Sequence, residues 1–211
     1  MINILLFGIL IMSFILVISK RISAMINAFG TQSFFLFLFT LLIALRSRHL
    51  ELYIVVAMLF FLKVITIPFL LRRITKRIKI NEFVGLFVNS AVSILIAVLL
   101  TYLAYLFVYR LIPFEAKMEK ISFVISLSVT LIGLFIMVSR ISALTQIIGL
   151  LVMENGLFLA AAIISGGMPF FVEIAIFFDL FVFVIIVGIF VYRINKLFTH
   201  IDVNKLDELR G

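Results

Sequence analysis

The sequence has 211 residues, of which 65% are hydrophobic and only 13% are charged, and its mean hydropathy is +1.38. Soluble domains are about 45–50% apolar, so this composition excludes a soluble globular fold and requires a lipid bilayer as the solvent. The absence of cysteine excludes thiolate-held iron–sulfur clusters, cysteine-based metal sites and disulfides.

The net charge of +8 and the positions of the two histidines exclude two further classes of function. Lys and Arg occur between apolar segments, which indicates a membrane protein and not a nucleic-acid-binding one. His49 and His200 lie outside the apolar segments, so no pair of histidines is available for a haem inside the membrane. We therefore expect no cofactor in this chain and no enzymatic activity of the chain on its own.

Seven apolar segments are long enough to cross a bilayer as helices, which takes roughly 20 residues each. Helices are expected because every backbone polar group must be satisfied inside lipid. The predicted spans, in chain order, are Ile2–Ser19, Met25–Leu45, Leu50–Leu71, Phe83–Tyr109, Ile121–Ser139, Ile141–Ser165 and Phe170–Tyr192. The N-terminus "MINILLFGIL" has no basic residue before its apolar run, which favours a retained first helix over a cleaved signal peptide.

The basic residues between the spans predict the orientation. More of them fall on the side that receives Lys20, Arg21, the cluster at 72–79, Arg140 and the C-terminal tail than on the other side. This side is expected to be cytoplasmic, with the N-terminus outside and the C-terminus inside. We predict one all-α membrane domain over 1–211.

Two parts of the chain resemble each other. "VISKRISAMINAFG" (17–30) matches "MVSRISALTQIIG" (137–149), and "LLRRITK" (70–76) matches "VYRINK" (191–196). A parallel repeat of three helices is therefore predicted, of the kind found in transporters. It divides the chain into a first three-helix unit (1–82), a linking helix and loop (83–120), a second unit (121–192) and a cytoplasmic tail (193–211). The alternative is that apolar runs and basic loops resemble one another by default.

Four ionisable residues lie inside the predicted spans: Lys63, Glu154, Glu173 and Asp179. A charge at the bilayer centre costs several kcal/mol, so such residues are functional candidates. From the helix rise, we expect Glu173, Glu154, Asp179 and Lys63 at roughly 5, 10, 14 and 20 Å below the outer surface. The four would form a staggered ladder, with Glu154 close to Asp179.

This ladder predicts a proton relay, because acids and a lysine at stepped depths can pass a proton where water joins them. Each residue has a structural alternative. Glu154 could be a protonated acid hydrogen-bonded to Asn155 or to a helix backbone, Glu173 a first-turn acid favoured by the helix dipole, and Lys63 a side chain that extends to the cytoplasmic interface. Gly149 and Gly156 are expected to let helices approach closely.

The C-terminal third resembles the hydrogenase-4 component E family. The similarity lies in "QIIGLLVMENGLFL" (146–159), "MPFFVEIAIFFDLFV" (168–182) and "FTHIDVNKLDELRG" (198–211). That family is similar in turn to the K subunit of respiratory complex I and to the C subunit of multi-subunit cation/proton antiporters. The K subunit carries one membrane Glu in each of its last two helices. By this resemblance Glu154 corresponds to the first of them, displaced from Leu151, and Asp179 matches the second, with Glu173 as the competitor.

The resemblance implies a subunit of a membrane-bound [NiFe]-hydrogenase complex in a prokaryotic inner membrane, coupling electron transfer to proton or cation movement. It also implies antiporter-like large membrane subunits, a membrane anchor subunit and a cytoplasmic hydrogenase arm as partners. The nickel–iron centre and iron–sulfur clusters would belong to those partners. Two alternatives are a subunit of a cation/proton antiporter without hydrogenase, and a structural spacer whose acids only hold helices together.

Overall fold

The computed structural model describes residues 2–47, 50–77, 89–111 and 117–164, together with Gly188. These residues are almost entirely helical. In chain order the elements are α1 (Ile2–Ile18), α2 (Ile22–Ser47), α3 (Leu50–Met58), a π-helical segment (Leu59–Thr66, the π segment), α4 (Ile67–Arg77), α5 (Ser90–Leu111), α6 (Lys117–Ser139) and α7 (Ala143–Ile164).

Five helices within the described residues are long and apolar enough to cross a bilayer: Ile22–Arg46, Leu52–Lys76, Ser90–Leu111, Glu119–Ser139 and Ala143–Ile164. Helix α1 is apolar but has only 17 residues. The described residues thus confirm the expected all-α fold, and their long apolar helices are compatible with a membrane protein. The seventh predicted span, Phe170–Tyr192, lies outside the described residues except for Gly188, and the structure does not test the orientation or the domain division.

Several helix boundaries differ from the expected ones. Helix α2 begins at Ile22, three residues earlier than predicted, and α7 begins at Ala143, two residues later. The third span continues to Arg77, six residues beyond its predicted end. Hydropathy ended that span at the first basic residues, but a helix that emerges from lipid continues as long as its backbone hydrogen bonds are satisfied.

Two helical hairpins form the centre of the fold. Helices α1 and α2 make one hairpin and α6 and α7 the other, with α1 packed on α6 and α2 on α7. Helix α5 lies against α1 and α6, while α3, the π segment and α4 lie against α2. The matching sequences Ser19-Lys20-Arg21 and Ser139-Arg140 lie where the first helix of each hairpin is connected to the second. The third helix of the second unit lies outside the described residues, so the three-helix repeat stays a prediction.

Helices α6 and α7 pack backbone against backbone, through glycines. A Cβ added at Gly149 would lie 2.9 Å from the Cα of Met137, and one added at Gly133 would lie 2.9 Å from the carbonyl oxygen of Gly149. At Gly156 an added Cβ would meet Thr130, and would lie 2.8 Å from the carbonyl oxygen of Ser126. The expectation that Gly149 and Gly156 permit close approach is confirmed, and this contact fixes α7 against the rest of the bundle.

The π segment interrupts the third span at its middle. Pro68 is the second residue after it, and proline has no N–H to donate while its ring clashes with the carbonyl one turn back in an α-helix. A wider π turn relieves that clash. In line with the wider turn, the backbone N–H of Ile67 bonds to the carbonyl of Leu62, five residues back, and the hydroxyl of Thr66 bonds to the carbonyl of Phe61.

Candidate functional site

Lys63 and Glu154 form an ion pair inside the bundle. The Nζ atom of Lys63 lies 3.0 Å from Oε1 of Glu154, and the two side chains are 1% and 3% exposed. Lys63 lies in the π segment and Glu154 in α7, so the pair joins two elements through residues that are 91 positions apart in the chain. Two of the four residues that the sequence singled out are therefore in direct contact.

Asn155 is the second side chain of α7 that holds the lysine. Its Oδ1 accepts a hydrogen bond of 3.1 Å from Lys63 Nζ. Glu154 and Asn155 are neighbours in sequence, and their side chains project from the helix about 100° apart. Together they contact the ammonium group from two sides. The ring of Phe158, one turn further along α7, has its centroid 5.7 Å from Nζ, which adds a cation–π attraction.

A chain of buried polar side chains leads from Asn155 to α1. The Nδ2 of Asn155 donates to Oε1 of Gln32 at 3.2 Å and to the hydroxyl of Ser33 at 3.3 Å, both on α2. The Nε2 of Gln32 donates in turn to the hydroxyl of Ser13 at 2.7 Å and to the carbonyl of Ile9 at 3.2 Å. Ser13 donates to that same carbonyl. Four elements thus meet in one network: α1, α2, the π segment and α7.

This network is enclosed by apolar side chains. Leu151, Val152 and Leu159 of α7 are fully buried, as are Leu59 and Ile67 at the two ends of the π segment. Polar groups buried away from water are stable only when they are paired. The complementary amides, hydroxyls and charges supply that pairing, so the network also fixes how the helices are rotated against each other.

The expected stepped depths of Lys63 and Glu154 stay a prediction, because the contact of 3.0 Å fixes their charged atoms relative to each other and not relative to a membrane surface. Within the described residues, Lys63 is thirteen residues after Leu50 and Glu154 is eleven residues after Ala143, where α7 begins. The alternative that Lys63 extends to the cytoplasmic interface is wrong, because Lys63 is 0% exposed.

Glu173 and Asp179 lie outside the described residues, so neither their depth nor the expected proximity of Asp179 to Glu154 is tested. Sequence reasoning did not find Gln32, Ser33 or Ser13. The signal was present, because each is a polar residue inside an apolar span. Single uncharged residues of this kind are common in membrane helices, however, and only the packing shows which of them meet.

Within the described part of the chain no group of three His, Asp or Glu residues is placed to hold a metal ion. The chemistry that the arrangement supports is proton exchange between an amine and a carboxylate. The ammonium form donates, the carboxylate accepts, and both lie in a medium where an uncompensated charge is costly.

Comparison with known proteins finds similarity to a hydrogenase component and to an uncharacterised protein. It is 30% identical to hydrogenase-4 component E of Escherichia coli K12 over 152 residues, which are 72% of this chain and 70% of that protein. The same component of Shigella flexneri matches equally well. An uncharacterised protein of Mycobacterium tuberculosis is 28% identical over 204 residues, 96% of this chain and 93% of its own. No protein-family model matches the sequence, and no solved structure is significantly similar to it.

Proposed function

Because this chain belongs to the hydrogenase-4 component E family, we propose that it is a membrane subunit of a [NiFe]-hydrogenase complex whose Lys63–Glu154 pair takes part in proton or cation movement. The observation that carries the proposal is the fully buried ion pair between the π segment and α7, both of which belong to long apolar helices. Intramembrane ionisable residues of this kind mark ion pathways and proton relays.

The pair can shift a proton without changing its net charge. Transfer of one proton over the 3.0 Å from Nζ to Oε1 converts an ammonium and a carboxylate into an amine and a carboxylic acid. Both forms are neutral overall, so neither leaves an uncompensated charge in the bundle. For a buried pair the desolvation penalty and the Coulomb attraction are of similar size, which keeps both forms accessible.

The cost of a net charge in the apolar surroundings couples proton uptake by the pair to proton release from it. A second proton that reaches Glu154 from one side gives the pair a net positive charge. That charge is expensive in the apolar surroundings, so it drives release of a proton from the pair. Net movement then requires that uptake and release occur on different sides, which a conformational change in the neighbouring subunits would control.

The rest of the relay belongs to the proposal. Asp179 and Glu173 are proposed to continue the path from Glu154. The antiporter-like large subunits, the membrane anchor subunit and the cytoplasmic hydrogenase arm are proposed as partners, and the nickel–iron centre and iron–sulfur clusters as their cofactors. The transported ion is proposed to be a proton or a cation exchanged for one.

The experiment compares single variants in the assembled complex. Glu154→Gln keeps the shape of the side chain but cannot give up a proton, and Lys63→Met keeps much of the stem but has no charge. The double variant Lys63→Met/Glu154→Gln, which leaves no unpaired charge, is compared with both single variants. The variants that assemble should transfer electrons in inside-out vesicles yet lose coupled ion movement, and Asp179→Asn should do the same. Glu119→Gln and Lys76→Met, which remove exposed charges, are the matched controls and should pump normally.

The outcome also separates the alternatives. If Glu154→Gln and Lys63→Met assemble and pump at the normal rate, the pair is structural and the chain is a spacer. If the chain co-purifies with antiporter subunits and no hydrogenase arm, the hydrogenase assignment is wrong while the relay survives.

A further inference from the structure

A cleft of about 470 Å³ opens on the surface between α2 and the third span. Its α2 side is formed by Asn27, Gly30, Thr31 and Phe34, which lie on one helix face at three- and four-residue spacings. Its other side is formed by the π segment and α4, with Val64, Ile65, Pro68, Phe69 and Arg72. The network around Lys63 does not use these residues.

The cleft is graded from polar to apolar along its length. At one end Arg72 Nη2 donates to Asn27 Oδ1 at 2.6 Å. In the middle Gly30 faces Pro68, since a Cβ added at Gly30 would lie 3.6 Å from Pro68 Cγ. The two helices are antiparallel, so Phe34 and Ile65 lie at the far end. From Asn27 to Phe34 the helix rises about 10 Å, which is the length of several methylene groups.

The polar end lies near the helix ends. Asn27 is five residues from the start of α2 and Arg72 five residues from the end of α4, which puts both about 8 Å from the helix termini. This is the depth at which the headgroup and the first carbons of a lipid lie relative to a spanning helix. The apolar end then points toward the bilayer centre.

Among the described residues, the exposed charges near the ends of α1, α2 and α4 are basic. Lys20, Arg21, Arg73 and Lys76 are exposed in addition to Arg72, and residues 1–50 and 52–77 contain neither Asp nor Glu. The bond to Asn27 holds the Arg72 guanidinium at the cleft while using one of its five N–H groups. A phosphate is the group that an oriented guanidinium among further cations recognises best.

We propose that this cleft binds one anionic phospholipid, with the phosphate on Arg72 and an acyl chain along Phe34, Ile65 and Phe69. The exposed apolar end suits an acyl chain, because Phe34, Ile65 and Phe69 are 40%, 46% and 59% exposed. The lipid would lie directly against Val64 and Ile65, and so against the π segment that carries Lys63.

The test is native mass spectrometry of the full chain released from mixed micelles of phosphatidylglycerol and phosphatidylcholine with the same acyl chains. One phosphatidylglycerol should be retained per chain, in preference to phosphatidylcholine. Arg72→Gln should weaken retention about tenfold or more, because it removes a hydrogen bond to a charged group. Ile65→Trp, which fills the apolar end from an exposed position, should weaken it as well.

Lys76→Gln is the matched control. It removes one exposed cation from the same helix but lies outside the cleft. It should therefore weaken retention less than about fivefold, which is the effect of one cation that attracts an anionic lipid without binding it directly. The proposal is overturned if Arg72→Gln and Lys76→Gln have equal effects, or if phosphatidylcholine is retained equally. It is also overturned if a single Thr31→Cys, in this cysteine-free chain, cross-links to a neighbouring subunit in the complex. None of these outcomes depends on ion movement.

Discussion

Arg140 donates two hydrogen bonds to the last turn of α1, to the carbonyl oxygens of Val17 at 2.8 Å and Leu16 at 3.0 Å. The guanidinium is only 1% exposed, although it lies in the short connection between α6 and α7. The last carbonyls of a helix have no partner within the helix and carry the negative end of its dipole. Arg140, which belongs to the other hairpin, thus caps the C-terminal end of α1.

Replacing Arg140 should therefore destabilise the packing of the two hairpins. Arg140→Met keeps the apolar stem but leaves the α1 carbonyls unsatisfied, and hydrogen bonds from a charged group contribute about 1.5–3 kcal/mol each. The Nε and Nη1 atoms of Arg140 have no hydrogen-bond partner among the described residues, so we expect a net loss of about 2 kcal/mol. SDS titration in mixed micelles measures the free energy of unfolding. The exposed Arg73→Met should change it by less than about 0.5 kcal/mol.

The effect of Arg140→Met should not depend on pH in the neutral range. Burial lowers the pKa of the Arg140 guanidinium to about 10, still well above neutrality, so it is charged in the folded and the unfolded state at pH 6–9. Only above about pH 10 does the folded state release a proton that the unfolded state keeps, and there stability from this group would rise with pH. A difference between wild type and Arg140→Met that changes between pH 6 and 9 would contradict this.

The Arg140 contact illustrates what hydropathy and charge patterns can predict. They located the helices and identified Arg140 as a basic residue in a connection, because length and composition decide whether a segment prefers lipid. They could not show that Arg140 points inward to α1. That direction depends on how the two hairpins pack, which a single-span pattern does not contain.

The same limit explains the candidate site. Lys63 and Glu154 were identified as candidates because a charge in lipid needs a reason, but their pairing depends on rotation about two helix axes and on the exact midpoint of each span. The π segment changes the rotation of the helix residues that follow it about the helix axis. Its cause, Pro68, shows in the sequence only that the helix is irregular near this point. Gln32 and Ser13 are ordinary polar residues until the packing brings them together.

Gly156→Ala should disrupt the contact between α6 and α7. The new Cβ would meet Thr130 and lie 2.8 Å from the carbonyl oxygen of Ser126, both on a backbone that cannot move away alone. Overpacking of this kind destabilises by about 1–3 kcal/mol. The matched control is Gly30→Ala, whose Cβ would lie 3.6 Å from Pro68. It should be neutral or stabilising, because alanine favours helix over glycine by about 0.5–1 kcal/mol. Thermal unfolding in detergent, followed by circular dichroism, compares the two. Equal melting temperatures for both variants would show that α6 and α7 are not held as described.

Asn155→Leu should weaken the network on both of its sides. The variant has nearly the same size but cannot accept from Lys63 or donate to Gln32 and Ser33. Each buried polar group left without a partner costs about 1–3 kcal/mol, so a loss of about 3 kcal/mol is expected. Asn155→Gln keeps both the acceptor and the donor and adds only one methylene, so it should be less harmful to folding than Asn155→Leu. SDS titration of the three proteins tests this order, and a variant Asn155→Leu as stable as wild type would contradict it.

The Lys63–Glu154 pair should show strong coupling in a double-mutant cycle. Removing one partner of a buried ion pair leaves an uncompensated charge and costs about 3–5 kcal/mol, whereas replacing both by apolar residues of similar volume is often neutral or stabilising. Lys63→Met and Glu154→Leu should each destabilise the chain, and the double variant should be more stable than either. The cycle is measured by SDS titration of all four proteins at one pH, so that its energies refer to the same protonation conditions. If the two single effects simply add, the two side chains do not interact as a pair. If the double variant is stable but no longer moves ions in the complex, the pair has been kept for proton exchange and not for folding.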